Sequence, residues 1–200
     1  MSRLWRDEIR VALGSGGPAE LSGLRRGARL TVILSSHHVR YALLPWSANL
    51  GREEEWLAYA RFRLRETYGA AADGWEVRIS PADPRAARVA CAVERRLLDD
   101  LRTAADQAGV RLVSVQPSLM HAFNVHRREF ERDDGWLVNA ERGRLTIALI
   151  ANRAWQLVRV RNAGPDWRDR LQSLLRREEA LAARVESVAR VVLMESPMAA

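Results

Sequence analysis

Lysine is absent from this 200-residue chain, so all 32 basic residues are arginines, set against 25 acids for a net charge of +7. The absence reads as a compositional habit of the kind a GC-rich genome imposes. A nucleic-acid binder would be expected to gather its basic residues on one face or loop, whereas these arginines are spread along every segment and mixed with acids. The densest groups, Arg25-Arg26, Arg127-Arg128 and Arg176-Arg177, sit at helical or turn positions beside acids and are read as solvated surface and ion pairs. Cysteine is nearly absent too: Cys91 alone excludes an internal disulfide, and its place in the alternating run Ala87, Val89, Cys91, Val93 predicts burial in a strand rather than reactivity. No apolar run approaches a membrane span, and residues 1–8 lack the apolar core of a secretory signal, so a cytoplasmic protein is expected. Internal repeats, low-complexity segments and coiled-coil heptads are also missing.

The chemistry-bearing residues are sparse. His37 and His38 are adjacent, so in an extended chain their rings point to opposite faces, and His121 and His126 are five apart, off the spacing that stacks side chains on one helical face. With one cysteine and no histidine–carboxylate cluster, no metal and no cofactor are expected. The run Gly14-Ser15-Gly16-Gly17 lacks the Gly-Lys-Ser/Thr ending of a phosphate loop and reads as a turn.

What is present is a mixed α/β order. A chain that is 48% hydrophobic over this length supports one large domain or two small lobes. Residues 8–13 read as a strand and 14–27 as a Gly-rich connection. Residues 29–35 and 39–44 read as two strands of a hairpin around Ser36-His37-His38. An amphipathic helix follows over 52–68, with Leu57, Ala60, Leu64 and Tyr68 on one stripe and Glu53, Glu54 and Glu55 suited to its N-terminal dipole. Strands are predicted at 75–79 and 86–92, a helix from about Val93 ending at Gly109, a strand over 110–116 and a Pro-initiated helix from Pro117 towards Phe130. Residues 135–161 then read as three short strands with tight turns at Glu141-Arg142-Gly143 and Ala151-Asn152-Arg153. A helix over 166–184 with Leu171, Leu174, Leu175 and Leu181 inside, a strand over 188–194 and a tail over 196–200 complete the chain.

This order resembles the actin-like superfamily of PilM, GspL and FtsA. The resemblance is carried by His38-Val39-Arg40-Tyr41-Ala42-Leu43-Leu44-Pro45 followed by the acid-rich Arg52-Glu53-Glu54-Glu55-Trp56, by the helix ending in Ala108-Gly109, by the strand that follows it and by the meander. It implies an α/β fold with a shortened actin-like, ribonuclease H-like core. A first strand and its connection would span 1–28, an inserted strand-helix-strand-strand interaction module 29–93, a core lobe 94–195 and a tail 196–200. The nucleotide loops of such proteins are not intact here. Residues 11–16 lack an Asp, Asn139 to Gly143 lacks the Asp-x-Gly order and puts Glu141 where a phosphate would arrive, and residues 192–197 hold no glycine pair.

The resemblance therefore implies a non-catalytic cytoplasmic scaffold in type IV pilus or type II secretion assembly, recruited to the inner membrane by the short cytoplasmic segment of a membrane-anchored partner. A homodimer is a further option. Two alternatives stay open: a divergent actin-like ATPase with a weakened nucleotide site, and an arginine-rich nucleic-acid binder. The partner surface is expected on a half-wet face of the module holding His38, Arg40, Glu76 and Arg78, with an aromatic edge at Trp46 and Trp56.

Overall fold

The computed structural model describes residues 8–14, 21, 23–181, 188 and 190–195. Ser15 to Gly17 of the run read as a turn, and the tail, lie outside these residues. Three sheets organise the described chain. The first is fully parallel, in the order β1 (Glu8–Leu13), β2 (Arg29–Leu34), β6 (Arg111–Pro117). Its central strand carries Leu30, Val32 and Leu34 at 0% exposure and Thr31 at 4%. Burial on both faces is the mark of an inner parallel strand.

That arrangement corrects the expected hairpin. The turn in which the His38 N–H donates to the Ser35 carbonyl (3.0 Å) does reverse the chain, but it passes it to another sheet. There β3 (Val39–Leu44) pairs antiparallel with β5 (Arg88–Glu94), which pairs with β4 (Trp75–Ile79). Local turn chemistry reports a change of direction and cannot report which strand takes up the hydrogen bonds; here β1 and β6 compete better for β2 because both of its faces are apolar.

Helix α1 (Glu53–Tyr68) covers one face of this second sheet. The Glu55 carboxylate accepts the N–H groups of Gly51 (2.8 Å) and Arg52 (3.0 Å), and the three acids of the first turn face the positive end of the helix dipole. Trp56, Ala60 and Leu64 pack on Leu44, Trp75, Val77, Ala90 and Ala92. Tyr68, expected on the same stripe, is 39% exposed at the helix end. The opposite face of the sheet, with Val39, Val89, Cys91 and Val93, joins the main core. Cys91 is buried as predicted, and burial pushes its thiol up to about 12.

Helix α2 (Arg95–Ala108) ends at Gly109, whose left-handed φ of 67° lets its N–H cap the Ala105 and Asp106 carbonyls. After β6, Pro117 caps α3 (Ser118–Phe130), with Leu119, Ala122 and Phe130 inside. The meander forms as read: β7 (Gly135–Glu141), β8 (Arg144–Ala151) and β9 (Ala154–Asn162) are antiparallel neighbours. Asn152 (φ 52°) and Arg153 (φ 60°) make the two-residue turn whose twist suits a hairpin. The last strand, β10 (Val191–Glu195), lies parallel to β7.

Helix α4 (Trp167–Leu181) covers this third sheet through Leu171 and Leu175. Leu181, expected inside, is 67% exposed. Its place on the buried stripe is taken by two carboxylates: Glu178 receives two bonds from Arg161 (2.6 and 2.9 Å), and Glu179 accepts the Trp136 indole N–H (3.1 Å). With partners this close the two acids are accommodated inside.

Candidate functional site: a sealed polar cleft and an open groove

The carboxyl ends of the first sheet meet the β7–β8 turn at Ser36, which is fully buried. The Ser36 N–H donates to Glu141 Oε2 (2.9 Å), its carbonyl accepts Arg144 Nη1 (2.7 Å) and its hydroxyl accepts Thr146 Oγ1 (2.6 Å). Ser118, at the start of α3, stands 3.3 Å from the Ser36 hydroxyl and accepts Asn139 Nδ2 at 3.0 Å. Asn139, Glu141 and Thr146 come from paired strands, so one turn presents all three to the end of β2. Glu141 was read as a residue that would repel a phosphate; it also occupies the backbone donor that an anion would use. The flanking histidines are tied to the same junction. His37 Nδ1 lies 2.9 Å from Ser35 Oγ, and His38 Nε2 donates to the Gly14 carbonyl (2.7 Å). Burial, then the nearby Arg144 charge, hold His37 below its ordinary value.

A second feature is open. A groove of about 420 Å3 runs between β4 and β6, lined by Arg78, Ile79, Cys91, Leu112, Val113 and Met120 among others. Among the described residues both bordering strands are sheet edges, β4 pairing with β5 alone and β6 with β2 alone. In the strand that was expected over 110–116, Leu112, Val113 and Val115 are only half-buried. Val113 falls at the register shift against β2, a bulge on the groove-facing edge. Unpaired backbone groups beside apolar side chains form a surface to which an extended peptide adds as a strand.

The six residues singled out from sequence do not form one patch. Arg40 pairs in register with Ala92 and so does Val77, on the α1 side of the sheet; Arg78 pairs with Cys91 on the opposite side. The half-wet face expected to unite them is therefore two faces, because neighbouring positions of a strand alternate. Glu76 and Arg78 pair with each other (2.9 Å) and both line the groove. Arg40 donates to the His37 carbonyl (3.0 Å). Trp46, 45% exposed, follows the far end of β3, roughly 20 Å along the chain from Arg40. Trp56 is 2% exposed, with the Arg88 guanidinium over its ring at 4.8 Å, so the aromatic edge expected there is a core anchor. The groove residues Leu112, Val113 and Met120 were missed as a site. Their sequence signals, an apolar run in a strand and a place on an apolar helix stripe, are shared by every buried element.

Among the described residues no three His, Cys, Asp or Glu side chains gather as a metal would require, and no helix is long and apolar enough to cross a membrane. No family model matches the chain, and no curated protein matches it by sequence. Solved structures do match. The chain is similar to one from the PilM–PilN type IV pilus biogenesis complex, with a TM-score of 0.62 and 14% identity over 84% of this chain and 62% of that one. It is also similar to the cytoplasmic domain of EpsL, an inner membrane component of the type II secretion system of Vibrio cholerae, with a TM-score of 0.53 and 9% identity over 90% of this chain and 65% of that one. At these identities the likeness is one of fold, and the fold is the actin-like type of PilM and the EpsL cytoplasmic domain. The chain spans slightly under two thirds of the length of each.

Proposed function

We propose that this chain is a non-catalytic scaffold that works in the cytoplasm, at the inner membrane, in assembling a type IV pilus or type II secretion machine. It binds a short cytoplasmic segment of a membrane-anchored partner in the groove between β4 and β6. The observation that carries this reading is the groove itself, where the free edge of β6 offers backbone pairing beside half-buried Leu112, Val113 and Met120. Two further features support it. The fold is shared with a PilM–PilN complex and with an inner membrane secretion component. At the sheet junction the Ser36 N–H is already satisfied by Glu141, which favours a binding role over nucleotide chemistry. The division of labour follows the sheets: the first and third form the core lobe, and β3, α1, β4 and β5 form a module that supplies one wall of the groove.

The test is fluorescence anisotropy with labelled cytoplasmic peptides of the membrane-anchored pilus and secretion proteins from the same organism. One peptide should bind saturably, and Val113→Arg, which fills the groove from an already half-exposed position, should weaken it at least about tenfold with unchanged circular dichroism. Binding that survives Val113→Arg but is lost in Arg40→Glu/Trp46→Ala would move the interface to the other face of the module. If no such peptide binds, the scaffold reading fails. Calorimetry with ATP and magnesium should show no saturable uptake; micromolar binding would favour a divergent ATPase instead.

A further inference from the structure

A second cleft, of about 650 Å3, lies between β3 and the free edge strand β9. Five arginines line it: Arg40 on β3, Arg63 on α1, Arg144 on β8, and Arg159 and Arg161 on β9. No acid is among its lining residues, and neither Ser36 nor Glu141 forms part of its wall. Two of the five are neutralised locally, Arg63 by Glu66 (3.3 Å) and Arg161 by Glu178 (2.6 Å).

Among the described residues the other three meet only backbone. Arg40 donates to the His37 and Val39 carbonyls (3.0 and 3.3 Å), Arg144 to the Ser36 carbonyl (2.7 Å) and Arg159 to the Val158 carbonyl (3.1 Å). Each bond uses Nη1, so most of the five N–H donors of each guanidinium remain for a ligand, while the carbonyl fixes its direction. The half-buried Arg161 and Arg190 do meet carboxylates, Arg190 pairing with both Glu129 and Asp133, whereas half-buried Arg88 lies over the Trp56 ring. Arg40 and Arg144 hold the adjacent carbonyls of His37 and Ser36, so two like charges are kept half-buried near one another without an ion pair of their own, the Glu141 carboxylate being taken up by the Ser36 N–H. Such charges repel, and an anion that bridges them relieves the repulsion. Planar guanidinium forks match phosphate oxygens in pairs, which makes three of them in one polar cleft a fit for phosphate rather than for a single carboxylate.

We propose that this cleft is a phosphate-binding site in which Arg40, Arg144 and Arg159 hold a phosphate-bearing ligand, either a soluble polyphosphate-type anion or the headgroup of an anionic phospholipid. The proposal does not depend on the scaffold reading, since the peptide groove lies on other strands.

The test uses the full chain in two arms. In the first, sodium tripolyphosphate is titrated by calorimetry without magnesium at about 0.15 M salt, where diffuse surface attraction is largely screened. In the second, flotation is compared between vesicles of phosphatidylglycerol mixed with phosphatidylcholine and vesicles of phosphatidylcholine alone. Arg159→Gln, at an exposed position, and Arg40→Gln should each weaken whichever interaction is found by about tenfold, the worth of one charge-assisted contact. Arg128→Gln removes the same charge from the exposed face of α3 and should leave it unchanged. Tripolyphosphate binding lost in the cleft variants supports a soluble ligand, and vesicle binding lost in them supports a headgroup. If neither probe binds, or if Arg128→Gln weakens binding as much as the cleft variants do, the cleft is not a phosphate site and its arginines only brace the backbone.

Discussion

Replacing Glu141 by alanine tests how much its carboxylate contributes to joining the β7–β8 turn to the end of β2, beside the bonds that Arg144 and Thr146 make to Ser36. The Ser36 N–H has Glu141 Oε2 as its acceptor at 2.9 Å, and Ser36 is 0% exposed. Truncation leaves a buried neutral donor unmet, which costs about 1–3 kcal/mol. For a chain of this size 1 kcal/mol lowers the melting temperature by roughly 2–4 °C, so a loss near ~2 kcal/mol predicts a fall of about 4–8 °C. Glu141→Gln keeps a carbonyl acceptor and should lose less than half of that. As a reference, Glu131→Ala removes an exposed partner of Arg127 (3.0 Å) and should change stability by no more than about 0.5 kcal/mol. Chemical denaturation of the four proteins decides it. If Glu141→Ala matches Glu131→Ala, the carboxylate does not hold the two sheets together, and occupation of the anion donor by Glu141 is no argument for a non-catalytic protein.

Trp56→Ala should cost about 3–5 kcal/mol, as for a large aromatic removed from a core, while Trp46→Ala at an exposed loop position should stay within about 0.5 kcal/mol; urea melts of the two variants check this. His37 is held below its ordinary value of 6.5, chiefly by burial, so the unfolded chain takes up its proton first as pH falls. The contribution of neutral His37 to stability is then complete above pH 6.5 and is lost as pH drops through the lower folded value, and an NMR titration placing its midpoint above 6.5 would contradict the burial argument. Cys91, with its thiol raised to about 12, should react with a disulfide reagent at pH 8 only after denaturation; rapid labelling of the native protein would show that the groove exposes the sulfur.

Local pattern alone determined much of this protein. The period-two alternation through Leu137, Leu145 and Trp155 with its turn residues specified the meander, and Pro117, Gly109 and the acids at 53–55 specified where helices begin and end, because these signals act over a few residues. The turn after Glu141 was also legible, from Arg142-Gly143 between two apolar runs. Pairing partners were not. Whether Arg29–Leu34 joins Val39–Leu44 or Glu8–Leu13 depends on which apolar faces meet across long separations, and no local signal encodes that choice. The same limit hid the sites. The groove exists because Trp75–Ile79 and Arg111–Pro117 are edges of different sheets brought side by side. Trp56 and Trp46 look alike in the sequence and differ because one points into the α1–sheet interface. Arginines at 40, 63, 144, 159 and 161, scattered along a chain whose basic residues seemed evenly dispersed, become one charged cleft only when β3 lies against β9, since charge concentrates in space and not in sequence.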